Sequence, residues 1–352
     1  MCEDIFNELA SIIDRGIEDN ASFAIAFLPG ENTPHIFGIP YEFSAEDGDS
    51  FEVFPWLGRY CDRAIFTHQG IKRAVALGYK ENMPGNSTSY DRYICSVTEA
   101  VRRCRERSGK IVISRTICGD RTDDTETVGK IASSFFRLNP ATFRYIFYTP
   151  ASGGWLAATP ETLVDYDYSS RCLSTMAFAG TRRISAKKEW DSKNRKENQF
   201  VVDYIEQRLR SLGLSPVVGD AENISFGEIE HLCRRVICKA DSSMLAPVID
   251  ALNPTPAVCG TPQSLAVLDI SELEDHPRGC YGGVVALSTA ERYRAFVNLR
   301  CMQFDNKGFC IYGGGGITSA SEPEAEFRET EAKTKILQGL TGKTMVAENT
   351  FS

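Results

Sequence analysis

This sequence predicts an α+β protein built on large, mainly antiparallel sheets. Segments with strand-like alternation follow one another directly and outnumber strand–helix alternations, which argues against a doubly wound parallel fold. The composition, 42% hydrophobic and 24% charged over 352 residues, is that of a chain that folds. Length alone leaves one large core or two domains open.

Taken in order, Ile5, Leu9, Ile12 and Ile13 recur at helical spacing, and residues 22–28 read as a buried strand. The stretch 80–91 is polar and rich in turn formers, and is expected to be a linker or mobile loop. Beyond it Ile94, Val97, Val101 and Cys104 mark an amphipathic helix, and Lys110–Ile117 alternates as a strand. Further strands are expected at 143–149, 154–158, 163–167, 172–177, 283–289, 292–304 and 308–313, with long helices at 191–212 and 322–340. Ser321-Glu-Pro-Glu324 has the spacing of a capping box with proline in the first turn.

The net charge is −8, 39 basic against 47 acidic residues, so the overall field repels polyanions and no nucleic-acid partner is expected. Twelve cysteines are scattered without a CxxC pair, which favours reduced thiols. Met1-Cys2-Glu3-Asp4 lacks a basic n-region, and no apolar run approaches the roughly 18 residues a bilayer needs. A cytoplasmic protein with no membrane partner is the expectation.

Several constellations have both a structural and a chemical reading. Glu326, Glu329 and Lys333 share one helix face: a solvated, salt-bridged face, or part of a site. In the helix at 191–212 the apolar stripe is Phe200, Val201, Tyr204, Ile205 and Leu209, a phase that points Glu197 inward. An inward carboxylate needs a partner or a metal, although a first-turn glutamate also favours the helix dipole. If Glu197 and Glu329 converge, they offer the hard oxygens that Mg²⁺ prefers. Tyr312 followed by four glycines and Ile317 is either a flexible turn or a backbone that approaches an anion. Arg300, within the expected strand 292–304, requires a carboxylate or phosphate, which an ion pair supplies equally well. Lys110 reads alone as a solvated lysine, Thr159-Pro-Glu161 as a helix cap, and His231 as a core hydrogen-bonder.

Together and in order, eight segments resemble the chorismate-utilising enzyme family: Lys110–Arg115, Thr159–Leu163, Ala179–Arg182, Lys193–Asn198, Asn253–Gly260, Pro277–Gly283, Gly313–Ile317 and Glu324–Thr330. The resemblance covers about 250 residues, with 91–341 bearing the motifs and 1–90 divergent. It implies a single α+β domain over 1–352, two mainly antiparallel sheets wrapped by helices as in anthranilate synthase component I, with the active site between them. Lys110 together with Ala179 resembles the water-using branch, isochorismate and salicylate synthases. Pro256-Ala-Val258 and Lys193–Asn198 are more similar to isochorismate synthases, particularly of the menaquinone-pathway type, with siderophore pathways left open. The sequence departs from the family pattern at Asn253, at Thr261-Pro-Gln263, and at Gly313 and Gly315, where alanine is common.

The resemblance implies reversible, Mg²⁺-dependent isomerisation of chorismate to isochorismate, with water adding at C2 and the C4 hydroxyl leaving. Lys110 is then the general base and Glu161 the general acid. That chemistry asks for a neutral lysine and a protonated glutamate, states that burial favours. Glu197 and Glu329 would hold Mg²⁺, with Glu326 acting through water. Arg300 and Tyr281, with the amides of Gly314 and Gly316, would hold the enolpyruvyl carboxylate. Lys333 adds positive charge, and Gly180, Thr181 and His231 line the ring pocket. No glutamine amidotransferase subunit is expected. The rivals are a salicylate synthase, an ammonia-using anthranilate or aminodeoxychorismate synthase component, and a non-catalytic chorismate-binding scaffold.

Overall fold

The computed structural model describes residues 2–38, 48–121, 126–183, 189–226 and 229–342. Helix α1 (Cys2–Glu18) precedes strands β1 (Phe23–Phe27), β2 (His35–Phe37), β3 (Ser50–Phe54), β4 (Ala64–Thr67) and β5 (Gly70–Lys72). Helix α2 (Tyr90–Arg107) leads into β6 (Lys110–Asp120), α3 (Val128–Leu138), β7 (Phe143–Thr149), β8 (Gly153–Thr159), β9 (Thr162–Asp167) and β10 (Cys172–Arg183). The chain continues through α4 (Ser192–Ser211), β11 (Val217–Phe226), β12 (Ile229–Lys239), α5 (Leu245–Leu252), β13 (Gly260–Thr261) and α6 (Gln263–Leu273). It closes with β14 (Val284–Ser288), β15 (Arg292–Val297), β16 (Cys301–Phe304), β17 (Gly308–Ile317) and α7 (Pro323–Leu340). Among the described residues, no helix is long and apolar enough to cross a membrane.

Two antiparallel sheets result, as expected. One has the order β13-β6-β17-β16-β8-β7-β1-β2, the other β11-β12-β10-β9-β15-β14-β3-β4-β5. Strand β7 shows why they stack. Phe143, Tyr145 and Phe147 point into the layer between the sheets, while Ile146 and Tyr148 point outward under α1 and α3. A strand covered on both faces reads as an unbroken apolar run. Between the sheets Phe143 lies flat on Phe296 of the other sheet, ring centroids 4.2 Å apart. Each such ring contributes on the order of 1.5–3 kcal/mol by burial. Helices α4 and α5 cover the outer face of the nine-stranded sheet, so the layers run helix, sheet, sheet, helix.

The feature that places the site is a pair of direct crossings between sheets. The chain leaves the eight-stranded sheet at the end of β8 and enters the other at β9, with Pro160 and Glu161 between. It returns from β15 to β16 through Asn298, Leu299 and Arg300. The crossings lie side by side: Val297 N–H donates to Glu161 O at 2.9 Å, and Ala158 N–H to Arg300 O at 3.4 Å. Asn298, fully buried, fastens them. Its side chain accepts from Tyr145 Oη at 2.8 Å and donates to Cys280 O at 2.8 Å.

Several expectations are corrected here. The alternation over 292–304 is two strands in different sheets, not one, and Arg300 stands at the break. Thr159-Pro-Glu161 caps no helix; it is the other crossing. The glycines 313–316 are neither turn nor loop but the end of β17, paired with β6 from Arg115 to Val112. The capping box does not form, since α7 starts at Pro323 without a side-chain cap and Ser321 Oγ accepts from Thr318 N–H at 3.1 Å. The stretch 80–91 is no linker. Thr88 N–H bonds Thr116 O at 3.0 Å, Cys118 N–H donates to Ser87 Oγ at 2.9 Å, and Ser89 caps α2. Moreover, β1 and β2 join one sheet while β3 to β5 join the other.

Helix α4 is rotated from its predicted stripe: Phe200 is exposed and Asn198 is buried. Asn198 Nδ2 donates to Ala177 O of β10 at 2.8 Å and to Leu232 O of β12 at 3.0 Å, where the strands leave carbonyls to satisfy. Because this bond fixes the helix beside Glu197, Asn198→Ala should destabilise the fold by about 1–3 kcal/mol, the cost of leaving buried carbonyls unpaired. Chemical denaturation measures it. Unchanged stability would mean that the helix is held by its apolar face alone.

Candidate active site

Around the two crossings opens a cavity of about 370 Å³, within the range of small-molecule sites. Every residue proposed from the sequence lines it except Thr181, whose side chain lies outside the described residues. Lys110 comes from the first position of β6, Glu161 and Arg300 from the crossings, Glu197 from α4, and Glu326, Glu329 and Lys333 from one face of α7. The salt-bridged-face reading of α7 and the functional one both hold, since Lys333 Nζ is 2.7 Å from Glu329 Oε1 while facing the cavity.

Glu161 is 7% exposed, and burial pushes its carboxyl up to about 7, against the opposing charges of Lys110 and Lys333. It thus keeps its proton well above the ordinary carboxyl range and is about half protonated at neutral pH. Burial also pushes His231 down to about 4, helped by the positive charge of Arg300, so its imidazole is neutral beside the Phe178 ring, centroids 4.6 Å apart. Arg300 has φ +49°, a conformation that costs a non-glycine residue energy. Burial lowers its guanidinium from the ordinary value, and no ion pair to a carboxylate is seen for it among the described residues. Among the described residues Arg300 thus makes no structural ion pair, and it lines the cavity.

The glycine segment completes this side. Ser114 N–H donates to Glu274 at 2.6 Å and Val112 N–H to Cys259 O at 2.9 Å, both away from β17. Ser114 with Gly314 and Val112 with Gly316 are therefore non-hydrogen-bonded pairs, and the two glycine amides point away from β6. Lys333 Nζ takes the Gly314 carbonyl on that open side at 2.8 Å. Side chains would block the approach. A Cβ on Gly314 would lie 2.6 Å from Tyr281 Oη, and one on Gly316 2.4 Å from Lys110 Cε. Gly180, at φ +87° in a β10 irregularity, brings the backbone up to Asn194.

Lys110 Nζ stands 3.4 Å from Glu197 Oε1. Burial raises the Glu326 carboxyl, opposed by a Ser321 hydrogen bond and reinforced by Glu329. For Glu329 burial also acts upward, but the Lys333 ammonium more than reverses it, leaving the group below its ordinary value. Among the described residues, no three His, Cys, Asp or Glu side chains stand close enough together to hold an ion as they are. The donor chemistry still fits a hard divalent cation: three carboxylates from two helices face one cavity, with lysines as the present counter-charges.

Sequence reasoning missed Asn194, Phe178, Leu299, Ala257, Tyr312 and Thr318 in the lining. Three of these had a signal: Asn194 stands three residues before Glu197 on the same helix, and Tyr312 and Ala257 lie in segments already singled out, the glycine run and Asn253–Gly260.

Residues 67–342 match the family described as chorismate binding enzyme, and the chain belongs to that family. It is 29% identical over 208 residues to the isochorismate synthase MenF of Haemophilus influenzae, covering 56% of this chain and 48% of that one. It is 28% identical over 287 residues to anthranilate synthase component 1 of Saccharolobus solfataricus, covering 75% and 64%. The matches thus span about half of the first relative and under two thirds of the second. The structure of MenF, the menaquinone-specific isochorismate synthase from Escherichia coli, shares the fold with a TM-score of 0.72 at 20% identity, over 91% of this chain and 88% of that one.

The Arg300 geometry separates stability from binding. Arg300→Gly should keep or raise the melting temperature, because glycine adopts φ +49° without strain and a desolvated cation is removed. Titration calorimetry with chorismate should show affinity falling at least about tenfold, the loss expected of a charge-assisted hydrogen bond. Unchanged affinity would remove Arg300 from the anion site.

Proposed function

We propose that the protein interconverts chorismate and isochorismate with the help of Mg²⁺. The observation that carries this reading is Glu161, a carboxyl protonated up to about neutral pH in the same cavity as Lys110. Lys110, in its neutral amine form rather than as the ammonium that faces Glu197, takes the proton of a water molecule adding at C2 of the ring. Glu161 gives its proton to the C4 hydroxyl as the double bonds shift, so the group leaves as water. In the reverse direction Glu161 is the base and Lys110 the acid, as microscopic reversibility demands. Arg300, Tyr281 and the outward amides of Gly314 and Gly316 hold the enolpyruvyl carboxylate. Gly180, Thr181 and neutral His231 line the ring's side, and Lys333 adds positive charge. Glu197 and Glu329 would hold the ion directly, and Glu326 through water. When bound, the ion supplies positive charge for the ring carboxylate and for the three protein carboxylates around it.

A second reading follows from the anthranilate synthase relative, whose match covers more of this chain. There ammonia replaces water. Lys110 facing the cavity favours water, since a base is needed for it, and alanine at 179 leaves no lysine there for a covalent route.

Chorismate, Mg²⁺ and excess ammonium should yield isochorismate in equilibrium with chorismate and no aminated product, without any glutaminase subunit, by chromatographic separation. EDTA should stop turnover and added Mg²⁺ restore it. Salicylate with stoichiometric pyruvate, or an amine, would overturn the assignment.

The acid and base are tested separately. Lys110→Ala and Glu161→Gln should each lower kcat by about 10²–10⁴, the usual contribution of one general catalyst. Calorimetric binding of chorismate in Mg²⁺ should survive both. Parental turnover in either variant would remove that residue from its role.

A further inference from the structure

Cys118 of β6 and Cys310 of β17 are direct cross-strand partners. The Cys118 N–H is turned away from β17 toward Ser87 Oγ, so the pair occupies a non-hydrogen-bonded position. At such positions the Cα atoms stand about 4.5 Å apart and the side chains are closest. That lies within the span of about 4.4–6.8 Å that a disulfide bridges. Their sulfurs are 2.7 Å apart, well inside the roughly 3.5–4 Å at which non-bonded heavy atoms settle. Cys118 also lines a second cavity of about 350 Å³, bordered by Lys80, Met83, Asp120 and Lys307, while Cys310 is fully buried.

We infer that Cys118 and Cys310 are a redox pair that closes into a reversible disulfide when a peroxide reaches the second cavity. Cys118, at the cavity wall, meets the oxidant first, because burial holds the Cys310 thiol well above its ordinary value. Its sulfur attacks one peroxide oxygen, and the O–O bond breaks. That oxygen stays on sulfur as a sulfenic acid, and the other leaves as water with the thiol proton. The Cys310 sulfur then attacks the Cys118 sulfur, the S–O bond breaks, and a second water carries off the Cys310 proton. Two thiols lose two electrons, and one peroxide is reduced. The bond ties together, toward one end, the two strands whose other end presents Lys110, Gly314 and Gly316 side by side, without requiring their backbones to separate.

The full chain is treated with hydrogen peroxide, its remaining thiols are alkylated, and it is digested without reductant for mass spectrometry. The expected product joins the Cys118 and Cys310 peptides and is released by dithiothreitol. In Cys310→Ser, Cys118 should instead accumulate as a sulfenic acid that dimedone traps. The exposed Cys61 and Cys95 report that the oxidant has acted. Their oxidation without the Cys118–Cys310 crosslink, or a bridge from Cys118 to Cys280 or Cys301, would overturn the inference. The wild-type map decides even if the variant does not fold.

Discussion

Two strand connections cross between the sheets side by side, and the hydrogen bonds between them govern where everything else can go. Val297 N–H is bound to Glu161 O, so neither crossing can shift without the other. Asn298 locks the pair to the loop that carries Tyr281 through Cys280 O. This joint lies at the edge of an aromatic layer in which Phe143 stacks on Phe296, so the spacing of the sheets is fixed by packing that tolerates little change. The wedge left beside the joint is the cavity. Glu161 is dry because it belongs to the joint, and Arg300 is bent into a left-handed conformation for the same reason.

Charge follows from that placement. A protein of net charge −8 gathers Lys110, Arg300, Lys333 and two outward glycine amides around one opening, which favours an anion locally while the surface field does not. Against them stand Glu197, Glu326 and Glu329. The lysines now balance two of these carboxylates, and a divalent ion taking that role would release both lysines toward substrate. Burial pushes both Glu161 and Glu329 upward, and the Lys333 ammonium beside Glu329 separates them, so that Glu161 is held protonated and Glu329 ionised. One cavity thereby holds a protonated carboxyl and an ionised carboxylate of the same chemical type.

What local pattern could show, it showed. Glu326, Glu329 and Lys333 share a face because α7 is regular, and Lys110 opens a strand whose alternation is visible in the sequence. What it misread depends on partners distant in the chain. Alternation from 292 to 304 runs on through a change of sheet, because both halves have one face in the same aromatic layer. Thr159-Pro-Glu161 spells a helix start and becomes a crossing, since β8 and β9 each find a neighbour already in place. Asn198 stands outside the apolar stripe of its helix in the sequence; only the carbonyls of β10 and β12 make it an inward residue. The family motifs brought the dispersed residues to one list, but the geometry that joins Glu161 to Arg300 was not in the periodicity.

The central claim is that the joint between the sheets makes Glu161 an acid. Isotope-edited infrared spectroscopy, with Glu161→Gln as the difference reference, reads the carboxyl directly across a pH series. A protonated C=O band should persist well above the ordinary value of 4.5 and disappear as pH rises through about 7. Because the folded value is raised, the stabilisation of the protonated form should be complete at low pH and decline over that same window. A Glu161 band that disappears near 4.5 would contradict the account, since the crossing would then hold an ordinary carboxylate rather than a general acid.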